Sequence, residues 1–351
     1  MSTCASNSSA AAGVPGSSAP RVSIIIKSLN EEIGIEAAIT SALHALDSIG
    51  GGEVIVADSR STDATVELAK KHPVRIVQLL NEADRSCAAG AQLGMQYAKG
   101  EFVYVLDGDM QLMPDFLAVA LKALDDDPRL AGVAGLLREA YTMNYSSAGR
   151  ERRRDLSQAA KTVVALDGGA LYRRAAIEDV RYLANPSLHA FEEFDLGARL
   201  VSKGWTLRRL DEQAVLHKGY TCASIPLMVR RWRTRYAWGH GELLRAALGQ
   251  PHLRIVLTHL RILKINVLTV GVWVLIMVLL LAGASAPPWG WILAAAVWPA
   301  VWATVTFRRR SGSSAAISLL AWNVTLAGLV CGFLARPRRC PDEPLPAAVI
   351  R

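Results

Sequence analysis

Phe102-Val103-Tyr104-Val105-Leu106-Asp107-Gly108-Asp109 is the stretch that decides how this chain reads. An apolar, aromatic and β-branched run predicts a buried strand, and it stops at two carboxylates separated by a glycine. The carboxylates then lie at the C-terminal end of a strand. In open α/β sheets ligands bind along that edge, and an acid pair there suits a hard cation such as Mg²⁺ or Mn²⁺. An Asp-Gly turn with solvated acids fits the tripeptide equally well.

Upstream, the pattern alternates. Strands are expected over 22–26, 54–57 and 74–77, and helices over 31–46, 62–71 and 86–99, the first with apolar residues at Ile35, Ile39, Ala42, Leu43 and Leu46. Repeated β-α units predict a parallel sheet with right-handed crossovers. Such a sheet gathers three polar turns at one cleft: Lys27 to Glu32, Asp58 to Asp63, and Asp107 to Asp109. The first of them is not glycine-rich, so the dinucleotide fingerprint of nicotinamide and flavin oxidoreductases is missing.

Composition sets the wider frame. A chain of 351 residues, 51% of them hydrophobic, fits one domain plus a membrane part. The formal charge of +8 comes largely from arginine clusters, which suit phosphate, anionic lipid or nucleic acid. Cys4, Cys87, Cys222, Cys331 and Cys340 are odd in number and lack CxxC spacing, which indicates neither a disulfide framework nor a zinc site and suits a reducing compartment. Residues 1–20 are mainly Ser, Ala, Gly and Pro, without the pattern of a signal peptide, and read as a disordered tail.

Five segments in order, S-I-I-I-K-S-L-N-E-E, V-I-V-A-D-S-R-S-T-D-A-T, F-V-Y-V-L-D-G-D, D-G-G-A-L-Y-R-R and F-E-E-F-D-L-G-A-R-L, resemble the inverting nucleotide-sugar glycosyltransferases of family 2. The resemblance covers roughly residues 21–240 and implies an α/β GT-A nucleotide-diphospho-sugar transferase fold, mostly parallel, of the membrane-anchored bacterial type. It implies that Asp58, with Ser28, Asn30 and Glu32, holds the nucleoside, and that Asp107 and Asp109 form a DxD motif for ribose, diphosphate and metal, with Asp109 the surer ligand. Mg²⁺ or Mn²⁺ is the implied cofactor. Gly168, Gly169, Arg231 and Trp232 are the implied contacts to diphosphate and acceptor. Lys27 stands where the family commonly has proline, Ser59 where a second aspartate is frequent, and Ala91 and Gln92 where an Arg-Asn pair is usual.

Glu192, Glu193 and Asp195 open an expected helix, where acids often serve only as dipole partners. By the resemblance Glu193 matches the base that takes the acceptor's proton, Glu192 its neighbour, and Asp195 a structural acid. His217 is the histidine in a ligand context, although nothing in its local spacing pairs it with a second ligand, which favours a structural role over a metal-binding one. Arg230-Arg231-Trp232-Arg233-Thr234-Arg235-Tyr236-Ala237-Trp238 interleaves arginine with aromatics as nucleic-acid binders do. It adjoins the apolar part and resembles the Arg-Trp end of a Q-x-x-R-W signature, with Met228 at the glutamine. A membrane-interface helix touching diphosphate and lipid headgroups is therefore preferred, with no nucleic-acid partner.

Residues 265–286, 289–307 and 315–335 are each long and apolar enough to span a bilayer. The expected organisation is a catalytic domain over 21–240, an interfacial helical linker over 241–264, about three transmembrane helices over 265–335 and a tail over 336–351. Arg254, Arg261, Lys264 and Arg308 to Arg310 put the catalytic domain in the cytoplasm, as expected for a bacterial inner-membrane protein. Three full crossings place Arg336, Arg338 and Arg339 outside; a re-entrant third segment is the alternative. The expected activity is transfer of a sugar from a nucleotide donor to a lipid-linked or glycan acceptor. A processive polysaccharide synthase and a catalytically silent nucleotide- or glycan-binding scaffold are the competing readings.

Overall fold

The computed structural model describes residues 19–141, 145, 161–219, 222–285 and 289–351, so most of the expected N-terminal tail and the Pro287-Pro288 turn lie outside the described residues. Strands β1 (Val22–Ser28), β2 (Glu53–Asp58), β3 (Arg75–Leu79) and β4 (Phe102–Asp107) alternate with helices α1 (Ile35–Asp47), α2 (Thr65–Ala69) and α3 (Cys87–Tyr97). They pair in parallel in the order β3-β2-β1-β4. The sheet continues with β5 (Met110–Leu112), helix α4 (Phe116–Asp126), β6 (Leu130–Glu139), β7 (Lys161–Val163), β8 (Ala170–Arg173), helices α5 (Arg174–Asp179) and α6 (Glu192–Ser202), and β9 (Thr206–His217). There the pairing is mixed: β8 runs antiparallel to both β4 and β6, and β5 antiparallel to β9. The parallel pattern thus holds for the N-terminal half, where each strand is followed by a crossover helix.

Both faces of the sheet are covered, which explains why the strands read as continuous apolar runs. Side chains alternate along β1: Val22, Ile24 and Ile26 pack in the layer of α1 and α4, whereas Ile25 packs with α3 and α6. By the same alternation Lys27 follows Ile25 onto the α3 and α6 face. Its cross-strand partner is Asp107. Ser28 and Asp58, also paired, lie at the other face.

Beyond β9 come α7 (Ser224–Arg233), α8 (Gly239–Ala247) and α9 (Leu253–His259), then three long apolar helices, α10 (Arg261–Ser285), α11 (Trp289–Arg309) and α12 (Gly312–Leu334). All three are long and apolar enough to cross a membrane. Helices α10 and α11 form a hairpin: Trp291 packs on Gly283 and Trp298 sits edge-on to Trp273 at 5.7 Å. Helix α12 docks on the catalytic domain. A Cβ at Gly328 or Gly332 would fall 2.1 Å from the carbonyl oxygens of Ala237 and Trp238, so only glycine permits this approach. His240 Nε2 bonds Thr325 O at 2.9 Å, and Arg245 donates to Gly332 O at 3.0 Å.

The C-terminus corrects one expectation. Strand β10 (Ala347–Val349) pairs antiparallel with β3 at the sheet edge, Leu345 is buried, and Arg339 grips Asp84 through Nε and Nη2 at 2.8 and 3.0 Å. Residues 336–351 thus reach back to the α/β sheet and end in one of its strands rather than forming a separate tail. Hydropathy measured the length of α12 correctly but could not register that its glycine face packs on protein.

Candidate active site

The turns after β1 and β2 interlock around Asp58. Its fully buried carboxylate accepts Ser61 N at 2.9 Å and Gln78 Nε2 at 2.8 Å on one oxygen, and the hydroxyls of Ser61 and Ser28 on the other. Asn30, left-handed at φ 57°, accepts Thr62 N at 2.8 Å and donates its own N–H to Ser61 Oγ at 2.8 Å. Asn30 is thus a tie between the two turns. Glu32 turns toward α2, where Oε2 accepts Ala64 N at 3.2 Å. The acid brought beside Asp107 and Asp109 is its neighbour Glu31, whose Cγ lies 2.9 Å from where a Cβ on Gly108 would stand. Burial, then Asp109 and Asp107, push the Glu31 carboxyl up to about 8 against the pull of Arg230. Sequence reasoning passed over Glu31 because strand alternation does not extend through a turn.

The acid pair starts α6 at a strained point. Phe191 is left-handed at φ 67°, a conformation costly for a bulky residue, and it turns the chain so that Glu192 and Glu193 begin the helix. Neighbours hold it there. Ala190 packs under Gly239, and Glu242 accepts both His189 N and His189 Nδ1 at 2.9 Å. Asp195 is buried and bonds Arg199 Nε at 2.8 Å, a structural pair that ties α6 to the backbone carbonyls of Val180, Tyr182 and Leu183.

Lys27 joins this acid pair to the end of β4. Its Nζ lies 2.8 Å from Asp107 Oδ1, 2.9 Å from Glu192 Oε1 and 3.6 Å from Glu193 Oε1. Burial works against the ammonium, but Asp107, Glu192 and Glu193 more than reverse it and hold its pKa well above the usual lysine range. Glu193 is pushed up to about 8 by burial and by the charge of Glu192, with Lys27 opposing. Its side chain is 26% exposed against 7% for Glu192, so Glu193 is the acid that faces the cleft.

Pairing of β5 with β9 sets Met110 against His217 and brings that histidine to the second aspartate. His217 Nε2 is 3.2 Å from Asp109 Oδ2, and Nδ1 is 2.9 Å from the buried Glu139 Oε2. Burial disfavours its charge, yet the two carboxylates outweigh that and push the imidazole up to about 9. Local spacing showed no partner for this histidine because its partners come from elsewhere in the fold, Asp109 from the turn between β4 and β5 and Glu139 from β6; with both nitrogens engaged it fits the structural role. Gly168 stands where a Cβ would be 3.3 Å from Asp107 Oδ2, and Gly169, at φ 82°, donates to Val105 O and accepts Tyr104 Oη at 2.9 Å. Arg231 donates to Tyr145 Oη at 3.0 Å and lies over the Tyr236 ring at 4.8 Å, while Trp232 meets Trp238 edge-on. Burial pushes the Tyr236 hydroxyl up against the pull of Arg231, with smaller contributions from the charges of Cys87, Glu192 and Glu193.

The donor set suits a hard cation held partly by substrate. Among the described residues no three His, Cys, Asp or Glu side chains close into a metal cage. Asp109 and Asp107 instead offer carboxylate oxygens in an open arrangement of the kind completed by phosphate oxygens, while His217 holds Asp109 through Nε2 and has Nδ1 on Glu139.

Residues 23–181 match the profile described as Glycosyl transferase family 2. The chain carries a family 2 glycosyltransferase domain. Among curated relatives of this chain, the dolichyl N-acetyl-alpha-D-glucosaminyl phosphate 3-beta-D-2,3-diacetamido-2,3-dideoxy-beta-D-glucuronosyltransferase of Methanococcus voltae is 22% identical over 64% of this chain and 74% of its own length. The GalNAc(5)-diNAcBac-PP-undecaprenol beta-1,3-glucosyltransferase of Campylobacter jejuni is 26% identical over 46% of this chain and 55% of its own. The chain spans only about a third of the Pyrococcus furiosus dolichol-phosphate mannosyltransferase, to which it is 29% identical over 32% of each. A mannosyltransferase from Pyrobaculum calidifontis, solved with GDP-Man and Mn²⁺, superposes with a TM-score of 0.61 at 19% identity, covering 91% of this chain and 88% of that one. At that identity the likeness speaks for a shared GT-A-type fold.

Proposed function

We propose that this protein transfers a sugar, with inversion, from a nucleoside-diphosphate donor to a lipid-linked acceptor at the cytoplasmic face of a membrane. One observation carries the reading: an acid with access to the cleft, Glu193, stands across a single lysine from the Asp107 and Asp109 pair, beside an arginine-aromatic helix that leads into the apolar helices. The names of the Methanococcus and Campylobacter relatives, which refer to dolichyl- and undecaprenol-linked substrates, support the acceptor class.

Asp58 and the turn around it form the nucleoside pocket, with Ser28 and Asn30 as its frame. Asp109 and Asp107 are the residues that would hold Mg²⁺ or Mn²⁺, with His217 orienting Asp109; the Mn²⁺ in the Pyrobaculum enzyme supports the choice of cation. Such a cation would neutralise charge on the leaving diphosphate. Glu193 takes the proton of the acceptor hydroxyl as it attacks the anomeric carbon from the face opposite the diphosphate. Gly168 and Gly169 keep the floor beside Asp107 open for the sugar diphosphate. Arg231 and Trp232 sit where a lipid headgroup reaches the cleft. Helices α10 and α11 serve as the membrane hairpin, and α12 braces the domain against it.

Membranes containing the protein, incubated with a panel of labelled nucleotide sugars and then extracted for lipid, test this reading. Label is expected in a lipid-linked product from at least one donor. Nucleotide binding without transfer from any donor would leave a binding scaffold instead.

A further inference from the structure

Lys27 has no part in the chemistry described so far, yet it is the cation at its centre. Three carboxylates from two ends of the site converge on one ammonium that is only 11% exposed. Without a cation, three carboxylates this close in a shielded cleft repel strongly, and protonation or displacement of one of them is the usual relief. The distances show which acids the lysine takes. Asp107 at 2.8 Å and Glu192 at 2.9 Å are within hydrogen-bond reach, whereas Glu193 at 3.6 Å is beyond it. The lysine stem is confined as well: Gly90 at the start of α3 packs on it, where a Cβ would stand 3.4 Å from Lys27 Cβ.

We infer that Lys27 is a positioning residue that takes Asp107 and Glu192 as its close ion-pair partners and holds the Glu193 carboxylate only at the longer 3.6 Å, so that Glu193 stays aimed at the acceptor. It couples the donor side of the cleft, at the end of β4, to the acceptor side, at the start of α6. The inference rests on Glu193 being the base. Glu192 then serves as the counter-ion that fixes the lysine rather than as a second base. A neutral side chain at position 27 frees Glu192 to compete with Glu193 for a shared proton, and Glu193 loses both its charge and its aim.

The test uses the full-length protein in membranes and follows turnover, donor KM and nucleotide affinity separately. In Lys27→Met, kcat is expected to fall about ten- to a hundred-fold, the loss typical of a misaligned catalytic group, with donor KM and nucleotide affinity within about three-fold of the parent. Lys27→Arg keeps a cation and is expected to recover at least a third of that loss on a logarithmic scale. The double variant Lys27→Met with Glu192→Gln removes both partners and is expected to be faster than Lys27→Met alone, because an uncompensated buried charge is relieved. Parental kcat in Lys27→Met, or equal losses of kcat and nucleotide affinity that neither Arg nor the double variant rescues, would overturn the inference. A thermal-midpoint cycle over the same variants reads the coupling without turnover. Absence of transfer in the parent protein would therefore count against the proposed function, while additive midpoints would count against Lys27.

Discussion

Glu193 sits where burial and a like-charged neighbour keep a carboxyl protonated into the neutral range, and two predictions follow from that environment. Glu193→Gln keeps the shape and removes the proton acceptor, so transfer should fall on the order of 10²- to 10⁴-fold, about 3 to 5 kcal/mol of transition-state stabilisation, with nucleotide affinity within a few-fold of the parent. Competition binding with a nucleoside diphosphate separates the two effects. For pH, the base works only when ionised, so kcat/KM for transfer should climb with pH toward about 8, the value to which Glu193 is raised. Removing the charge of Glu192 by Glu192→Gln lowers that value and should move the acid limb to lower pH. Stability runs the other way. Between the ordinary 4.5 and about 8 the folded protein holds a proton that the unfolded chain has released, so this acid costs stability as pH rises through that window. Melting curves of parent and Glu193→Gln across the same range check the sign. At the second aspartate, Asp109→Asn and His217→Ala should each weaken Mn²⁺ binding at least ten-fold, as read by the free Mn²⁺ resonance signal, while Glu32→Gln should leave it unchanged.

Among the elements, α12 and β10 do what their local sequence does not announce. The Gly328 and Gly332 face lets α12 approach backbone to backbone, and each added side chain would meet a carbonyl oxygen. Gly332→Leu should therefore lift α12 from α8 and break the bond from Arg245, with loss of cooperative unfolding in a detergent melt. Strand β10 covers the edge of β3 and is anchored by Leu345, whose backbone N–H and C=O both bond the Gln96 side chain. Leu345→Ala should cost about 2 to 5 kcal/mol, the range for a buried leucine, and expose that edge. Urea unfolding of the two proteins measures it.

For the whole molecule, the decisive constraint is that both ends of the catalytic fold share one sheet. With β10 on β3 and α10 and α11 as the proposed membrane hairpin, a reporter fused after Arg351 is expected on the same side of the membrane as one fused after Arg310, which would put the arginines at 336, 338 and 339 on the side of Arg308 to Arg310. The distribution of positive charge then needs no exception. Accessibility of single cysteines placed at the two positions should match; labelling of the C-terminal one from outside the cell would mean that β10 leaves the sheet in the membrane.

The sequence by itself determined the α/β class, the parallel half of the sheet, the three turns that meet at one cleft and the apolar length of the last helices. These are properties of local periodicity, and strand ends gather because right-handed crossovers allow little else. Periodicity placed Asp58, Asp107 and Asp109 at strand ends and Glu192 and Glu193 at a helix start, whereas their expected roles came from the resemblance to family 2 transferases. What the local pattern could not convey was which side chains meet across long separations. His217 found Asp109 and Glu139 only through the β5–β9 and β6–β9 pairings, Lys27 found the acid pair only because α6 starts across the sheet from β1, and Glu31 came beside Asp107 and Asp109 through a turn, which carries no period. The place where the chain ends was decided in the same way: a span is read from hydropathy over one segment, whereas β10 on β3 joins Ala347–Val349 to residues 77–79, far back in the chain, and only packing brings them together.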